Sequence, residues 1–248
     1  HTGRSRNDQS STDVRLWGMC ATDAVDAEVV RRVGGLLTLA ESGVEAVMPG
    51  YTHLQQAQPI RAAQWALAHV WALLRDRERL AQARRAAGVL PLGSGAIAGC
   101  PFPVDREALR SELGFLRISE NSVDAVGDRD WICDLAYAGA MIGIHLSRLG
   151  EDLVLFSSTE FGFVRLSDGY STGSSLMPQK RNPDVAELAR GKSGRLVDLL
   201  GGRARSFRVS QAFTAFTEAR ETPSRAAISR LNRSSSAWSP TCSASGRA

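Results

Sequence analysis

The stretch Gly173-Ser174-Ser175-Leu176-Met177-Pro178-Gln179-Lys180-Arg181-Asn182 gathers the residue types needed for proton transfer beside a carboxylate. Two adjacent hydroxyls offer a nucleophile or a base. Lys180 supplies a cation six residues after Ser174, and Asn182 a neutral donor. Glycines at 169 and 173 permit a mobile or sharply turned backbone. Pro183 can open a helix whose first N–H groups favour anions. On composition alone, a solvated Ser/Gly loop with one surface lysine is the bland alternative.

His53 lies in Pro49-Gly50-Tyr51-Thr52-His53-Leu54-Gln55, a connection between two long helical patterns. An imidazole there could act as acid or base, or serve as a hydrogen-bonded structural histidine. His69 and His145 fall on apolar helix faces, where a structural role is expected. The opening His1-Thr2-Gly3-Arg4-Ser5-Arg6-Asn7-Asp8-Gln9 suits anion binding by two arginines at a helix start, or a plain polar cap. Glu120-Asn121-Ser122 with Asp128-Arg129-Asp130 offers a similar polar start, or a solvated face.

Long helices must position these groups. Val14, Trp17, Ala21, Val25, Val29, Val33, Leu36 and Ala40 recur at steps of three and four, which predicts a helix over 12–47. Ser11 and Thr12 would cap it, and Pro49-Gly50 would end it. A second helix is expected from Pro59 to about Ala87, and a short one over 105–113. A third long helix is expected from Ser122 to about Phe156, and a fourth from Pro183 to about Leu200. The stretches 90–103 and 161–182 read as loops. No alternating run is long enough for a central sheet. The expected fold is all-α, an elongated bundle of helices longer than the usual globular ones, with faces that need partner helices.

With 43% apolar and 23% charged residues among 248, the chain can bury a core and is not wholly disordered. Four scattered Cys at 20, 100, 133 and 242 make neither a disulfide framework nor a zinc site, and a reducing compartment is expected. No uninterrupted apolar run reaches membrane-spanning length. Residues 203–248 hold eight Arg, two Glu and neither Lys nor Asp, so the basic pI arises there and the first 202 residues are net acidic. A nucleic-acid-binding body is not indicated. Lysine occurs at only two positions, Lys180 and Lys192, against 28 Arg. Gly-x-Gly-x-x-Gly, Walker and Gly-x-Ser-x-Gly patterns in their required settings are absent from the sequence, as is a His/Cys metal cluster. The start at His1 is expected to mark a processed chain or a fragment.

Position by position, Gly173 to Pro183 resembles the signature of the fumarase/aspartase superfamily. The opening His1 to Gln9, and Tyr51 to Gln55 with Gln58-Pro59, resemble argininosuccinate lyases within it. Leu92-Gly93-Ser94-Gly95-Ala96 and Glu120 to Val126 add to the likeness, which covers residues 1 to about 201. The resemblance implies the central helical domain of that superfamily and reversible β-elimination of argininosuccinate to arginine and fumarate, in arginine biosynthesis or the urea cycle. It implies no metal or organic cofactor, no nucleic acid or membrane partner, and a cytoplasmic homotetramer with active sites shared between subunits. By matching positions, Ser174 would take the proton, His53 would transfer one, and Glu187 would raise the basicity of His53. Lys180 and Asn182 would stabilise the substrate carboxylate as charge develops. Asn7 and Thr52 match substrate-binding positions, and Ser5, Arg6, Gln58 and Arg129 are assigned with them. Motif alignment, not chemistry, separates Ser174 from Ser175. A non-catalytic crystallin-like or inactive truncated subunit of the same fold is the alternative. The family's N-terminal domain and its Lys-Gly-Leu-Pro and later substrate-binding segments have no counterpart in the sequence. Residues 1–202 are therefore expected to be an incomplete central lyase domain, and 203–248 a Ser/Arg-rich tail, disordered or frame-shifted.

Overall fold

Ser5 opens the first helix through a reciprocal cap. Its Oγ accepts from Asn7 N at 3.2 Å, and the Asp8 carboxylate accepts from Ser5 N at 2.9 Å. Helix α1 therefore runs over Arg6–Ser42, six residues earlier than the apolar stripe implies. Ser11 and Thr12, expected as caps, are buried inside it. The Thr12 hydroxyl donates to Asp8 O, one turn back, and the Ser11 hydroxyl to Ala125 O. This computed structural model describes residues 2–205. The expectations for residues beyond Arg205, a disordered or frame-shifted tail, lie outside the described residues.

α1 stops before Pro49. Strand β1 (Val47–Thr52) pairs antiparallel with β2 (Gln55–Arg61), from Val47↔Arg61 to Thr52↔Gln55. Pro59 thus sits opposite Pro49 in a hairpin instead of opening a helix, and α2 begins at Ala62 and ends at Ala87. β3 (Val89–Leu90) runs parallel to β4 (Arg117–Ile118), and β5 (Thr172–Gly173) antiparallel to β6 (Arg181–Asn182). These three two-stranded ladders are connections, and six helices make the class all-α among the described residues.

α3 (Arg106–Leu113) is capped by Asp105 and stops at Gly114 in the left-handed region. The helix expected over 122–156 is two, α4 (Ser122–Gly127) and α5 (Asp130–Phe156). Asp128 breaks it: its backbone leaves the helical region, and its carboxylate accepts from Asp130 N at 2.8 Å. α6 spans Asp184–Arg205.

Two compact units share these helices, one built chiefly from residues 2–25 and 81–135, the other from Asp26–Leu80 and Ala136–Gly201. In the first, Met19, Ala87, Leu90, Leu92, Leu113, Phe115 and Trp131 form the buried cluster. In the second, α5 and α6 approach closely at two glycines. A Cβ on Gly143 would lie 2.8 Å from a Leu196 methyl, and one on Gly150 2.8 Å from Ala186 O. Ala186 is buried there, and this contact fixes the start of α6 where the Ser174 loop ends.

Candidate active site

The Ser174 loop is a hairpin loop closed by two rungs, Thr172↔Asn182 and Gly173↔Arg181. Inside it the Ser174 Oγ accepts from Met177 N at 3.1 Å, and Lys180 N donates to Met177 O at 2.9 Å. A backbone N–H aimed at Oγ favours negative charge on that oxygen. Ser175 is exposed, whereas Ser174 is half-buried, so the two hydroxyls differ in setting. Lys180 is exposed and Asn182 half-buried. The Thr172 hydroxyl bonds the Asp184 carboxylate, which ties the hairpin to the first turn of α6. That turn carries Glu187 as well as Asp184, so its own carboxylates already complement the helix end. Glu187 is exposed.

Thr52, His53 and Gln58 ride on the β1–β2 hairpin, all exposed. His53 and Leu54 form its two-residue turn with φ of 55° and 59°. Both central residues of such a turn need positive φ, a place usually given to Asn or Gly. Histidine tolerates the left-handed region better than leucine, which has no polar group to ease it. The turn holds local strain, a feature that clusters at functional sites. Among the described residues, no hydrogen bond or ion pair joins His53 to Glu187 or to Ser174.

Ser5, Arg6, Asn7 and Arg129 belong to the first unit. Arg6 and Asn7 are exposed at the start of α1, while Ser5 forms the cap through its N–H and as acceptor at Oγ. Arg129 donates to Val126 O at 3.0 Å and Asp128 O at 2.7 Å. Burial lowers its pKa, and neighbouring Arg15 adds to this. Sequence reasoning missed two residues that hold this end. Asp8 is fully buried and accepts from Gly93 N at 3.1 Å and Gly95 N at 2.8 Å besides Ser5 N. Arg15, 2% exposed, bonds Ala86 O at 2.8 Å and the Asp128 carboxylate, over the Trp131 ring. The Ser-x-x-Asp spacing of residues 5 and 8 is the one signal that could have marked Asp8. His69 and His145 are buried, each against a carboxylate, Asp152 and Asp76. Among the described residues, no three His, Cys, Asp or Glu side chains are grouped to hold a metal ion.

A helical core with a Ser-Ser-x-Met-Pro-x-Lys loop leading into a helix defines a lyase of the helical class. Residues 1–197 match the lyase family, and the chain belongs to it. It is 60% identical over 196 residues to the argininosuccinate lyase of Roseiflexus castenholzii, covering 79% of this chain and 43% of that protein. Against the argininosuccinate lyase of Herpetosiphon aurantiacus it is 58% identical over 198 residues, again 79% and 43%. The chain thus spans less than half the length of the curated relatives it matches. Among solved structures, it is similar to EDDS lyase in complex with formate, with a TM-score of 0.78 and 28% identity, over 84% of this chain and 42% of that one.

Proposed function

We propose that the chain is the central part of an argininosuccinate lyase, which splits argininosuccinate reversibly into arginine and fumarate. The observation that carries this reading is the Ser174 loop, held between two rungs with an N–H on the Ser174 Oγ and Lys180 after it. Identity of 58–60% to argininosuccinate lyases supports the substrate. In this reading Ser174 removes a proton from the carbon beside a substrate carboxylate. The electron pair is first held on that carboxylate, where Lys180 and Asn182 meet the developing charge. It then forms the carbon–carbon double bond of fumarate as the carbon–nitrogen bond breaks. His53 gives the leaving guanidino nitrogen its proton, and Glu187 stabilises the imidazolium. Ser5, Arg6, Asn7, Thr52, Gln58 and Arg129 grip the substrate ends.

Because no hydrogen bond or ion pair joins His53 to Ser174 among the described residues, we infer a homotetramer in which subunits share sites, working in the cytoplasm without a bound cofactor. Residues 1–202 then form the lyase domain, the family match itself ending at residue 197. No described helix is long and apolar enough to cross a membrane. The test is a completed subunit, with residues 1–197 placed in the Roseiflexus castenholzii relative. Fumarate release from argininosuccinate, followed by ultraviolet absorbance, should match that relative. Ser174→Ala should lower kcat by orders of magnitude with little change in KM. Fumarate release at a normal rate by Ser174→Ala would remove the assignment of the base.

A further inference from the structure

Tyr51 is the penultimate residue of β1, with only Thr52 between it and the exposed turn His53-Leu54, and it is half-buried. Its ring meets Phe161 edge-on with centroids 5.5 Å apart, and Phe156 and Phe163 at 6.3 Å each. Phe156, at the end of α5, also contacts Trp65 of α2 at 5.4 Å and Phe163 at 5.4 Å. The chain after α5 folds back onto that helix end. Gly162 N donates to Ser158 O at 2.8 Å, and Val164 N to Phe156 O at 2.9 Å. Those bonds set Phe161 and Phe163 under Tyr51, ahead of the segment that becomes the Ser174 loop. One aromatic cluster therefore holds the hairpin of His53 against the end of α5 and the segment that follows it.

We propose that Tyr51 is a positioning residue for the elimination: its ring fixes where the strained His53-Leu54 turn stands on the aromatic cluster at the end of α5. This rests on the lyase reading above. The argument is geometric. Thr52, His53 and Leu54 are exposed, and Tyr51 is the residue next to them whose side chain reaches a packed cluster. Aromatic pairs of this kind add specific geometry to plain burial. A two-residue turn with both residues in the left-handed region transmits any tilt of Tyr51 directly to His53. A displacement of about 1 Å at a reacting group can cost roughly a hundredfold in rate. The hydroxyl of Tyr51 is not needed for this role, so the ring alone should suffice.

The test uses Tyr51→Leu, Tyr51→Phe and Phe161→Leu. In the completed subunit, Tyr51→Leu and Phe161→Leu should each lower kcat by about tenfold or more with KM within about twofold. Tyr51→Phe should restore the parental kcat. In the 248-residue chain itself, hydrogen exchange should quicken over 51–56 and 161–164 in Tyr51→Leu but stay unchanged in α2 and α5. Parental kcat in Tyr51→Leu overturns the proposal. So does a loss accompanied by faster exchange throughout α2 and α5, which marks general destabilisation. If the completed parent releases no fumarate, the lyase reading fails instead. Exchange in the 248-residue chain then still decides: unchanged rates at 51–56 in Tyr51→Leu overturn the role of Tyr51.

Discussion

The Asp152 Oδ2 lies 3.0 Å from His69 Nε2, and seven residues away on both helices the pairing recurs with the types exchanged, Asp76 Oδ2 meeting His145 Nδ1 at 2.6 Å. α2 and α5 run antiparallel through these contacts. Sliding one helix two turns along the other would bring His69 to His145, or Asp76 to Asp152. Either slip sets like beside like in a buried seam, so the inverted pairs specify one register. Trp65 Nε1 adds a 2.8 Å bond to Asp152, and Arg79 one of 3.0 Å to Asp76. The seam lies next to the aromatic cluster, since Trp65 contacts both His69 and Phe156.

The first prediction concerns acid. Burial pushes the Asp152 carboxyl up, but hydrogen bonds with His69 and Trp65 and the charge of Arg148 outweigh it, leaving the pKa below the ordinary 3.8. A carboxyl whose folded pKa is depressed contributes stability above its unfolded pKa and loses it as pH falls through the folded value. The Asp152 contribution should therefore be complete above about pH 4–5 and fade below about 3.8. Thermal unfolding by circular dichroism should show Asp152→Asn less stable than the parent at pH 6. The gap should narrow steadily below pH 4. A gap of constant size from pH 6 to pH 3 would mean that the charge of Asp152 does not matter.

The long helices were legible because apolar residues at steps of three and four run through α1, α2 and α5. The short α3 was legible because Asp105 and Gly114 punctuate it. The start of α1 was hidden: its first turn is all polar, so the apolar stripe begins a turn and a half late. The hairpin was hidden because β2 reads Gln-Gln-Ala-Gln-Pro, exposed on both faces, with no alternation to find. The break at Asp128 was hidden because apolar residues continue in helical phase across it. For the site, the Ser174 loop stood out, since its residues are contiguous. Asp8 did not, because its partners Gly93 and Gly95 are more than eighty residues away. Asp76 and Asp152 were missed for the same reason, since a carboxylate in a helical pattern reads as solvated until its partner helix is known.

Asp8 yields the second prediction. Its carboxylate takes three backbone N–H donors from two chain segments while fully buried. Asp8→Ala leaves all three without an acceptor. Hydrogen bonds to a charged group contribute about 1.5–3 kcal/mol, so the loss in urea unfolding should reach about 3 kcal/mol or more. Asp8→Asn keeps one acceptor oxygen and should lose less. Equal losses in the two variants would show that the acceptor oxygen kept by Asn contributes nothing and that the stability comes from the full carboxylate.

Gly18 yields the third. The Trp131 ring lies directly on α1 at this residue, and a Cβ on Gly18 would stand 2.3 Å from ring atom Cζ3. Two effects oppose each other in Gly18→Ala. Helix propensity favours alanine by about 1 kcal/mol, while overpacking a well-filled core costs typically about 1–3 kcal/mol. The ring is 2% exposed and has little room to retreat, so the clash should win and the variant should melt earlier. In a Trp131→Leu background the same substitution should instead be neutral or stabilising. Melting temperatures of the four proteins decide it, and destabilisation of equal size in both backgrounds would dissociate Gly18 from the ring.

The fourth prediction tests the sharing of sites between subunits. His53 sits at a hairpin tip and Ser174 in a separate loop, and no hydrogen bond joins them in one chain. If each site takes its His53 and its Ser174 from different subunits, two dead variants can rescue each other. Completed subunits carrying His53→Asn and completed subunits carrying Ser174→Ala should each be inactive alone. Unfolded together at equal amounts and refolded, they should assemble at random. About a quarter of the sites would then hold both intact residues, so fumarate release should recover to about a quarter of the parental rate. Residues supplied by one and the same subunit give a different result: every site in the mixture lacks one of the two, and activity stays at the level of the separate variants. That outcome would require His53 and Ser174 to meet within a single chain, through a rearrangement of the β1–β2 hairpin and the Ser174 loop.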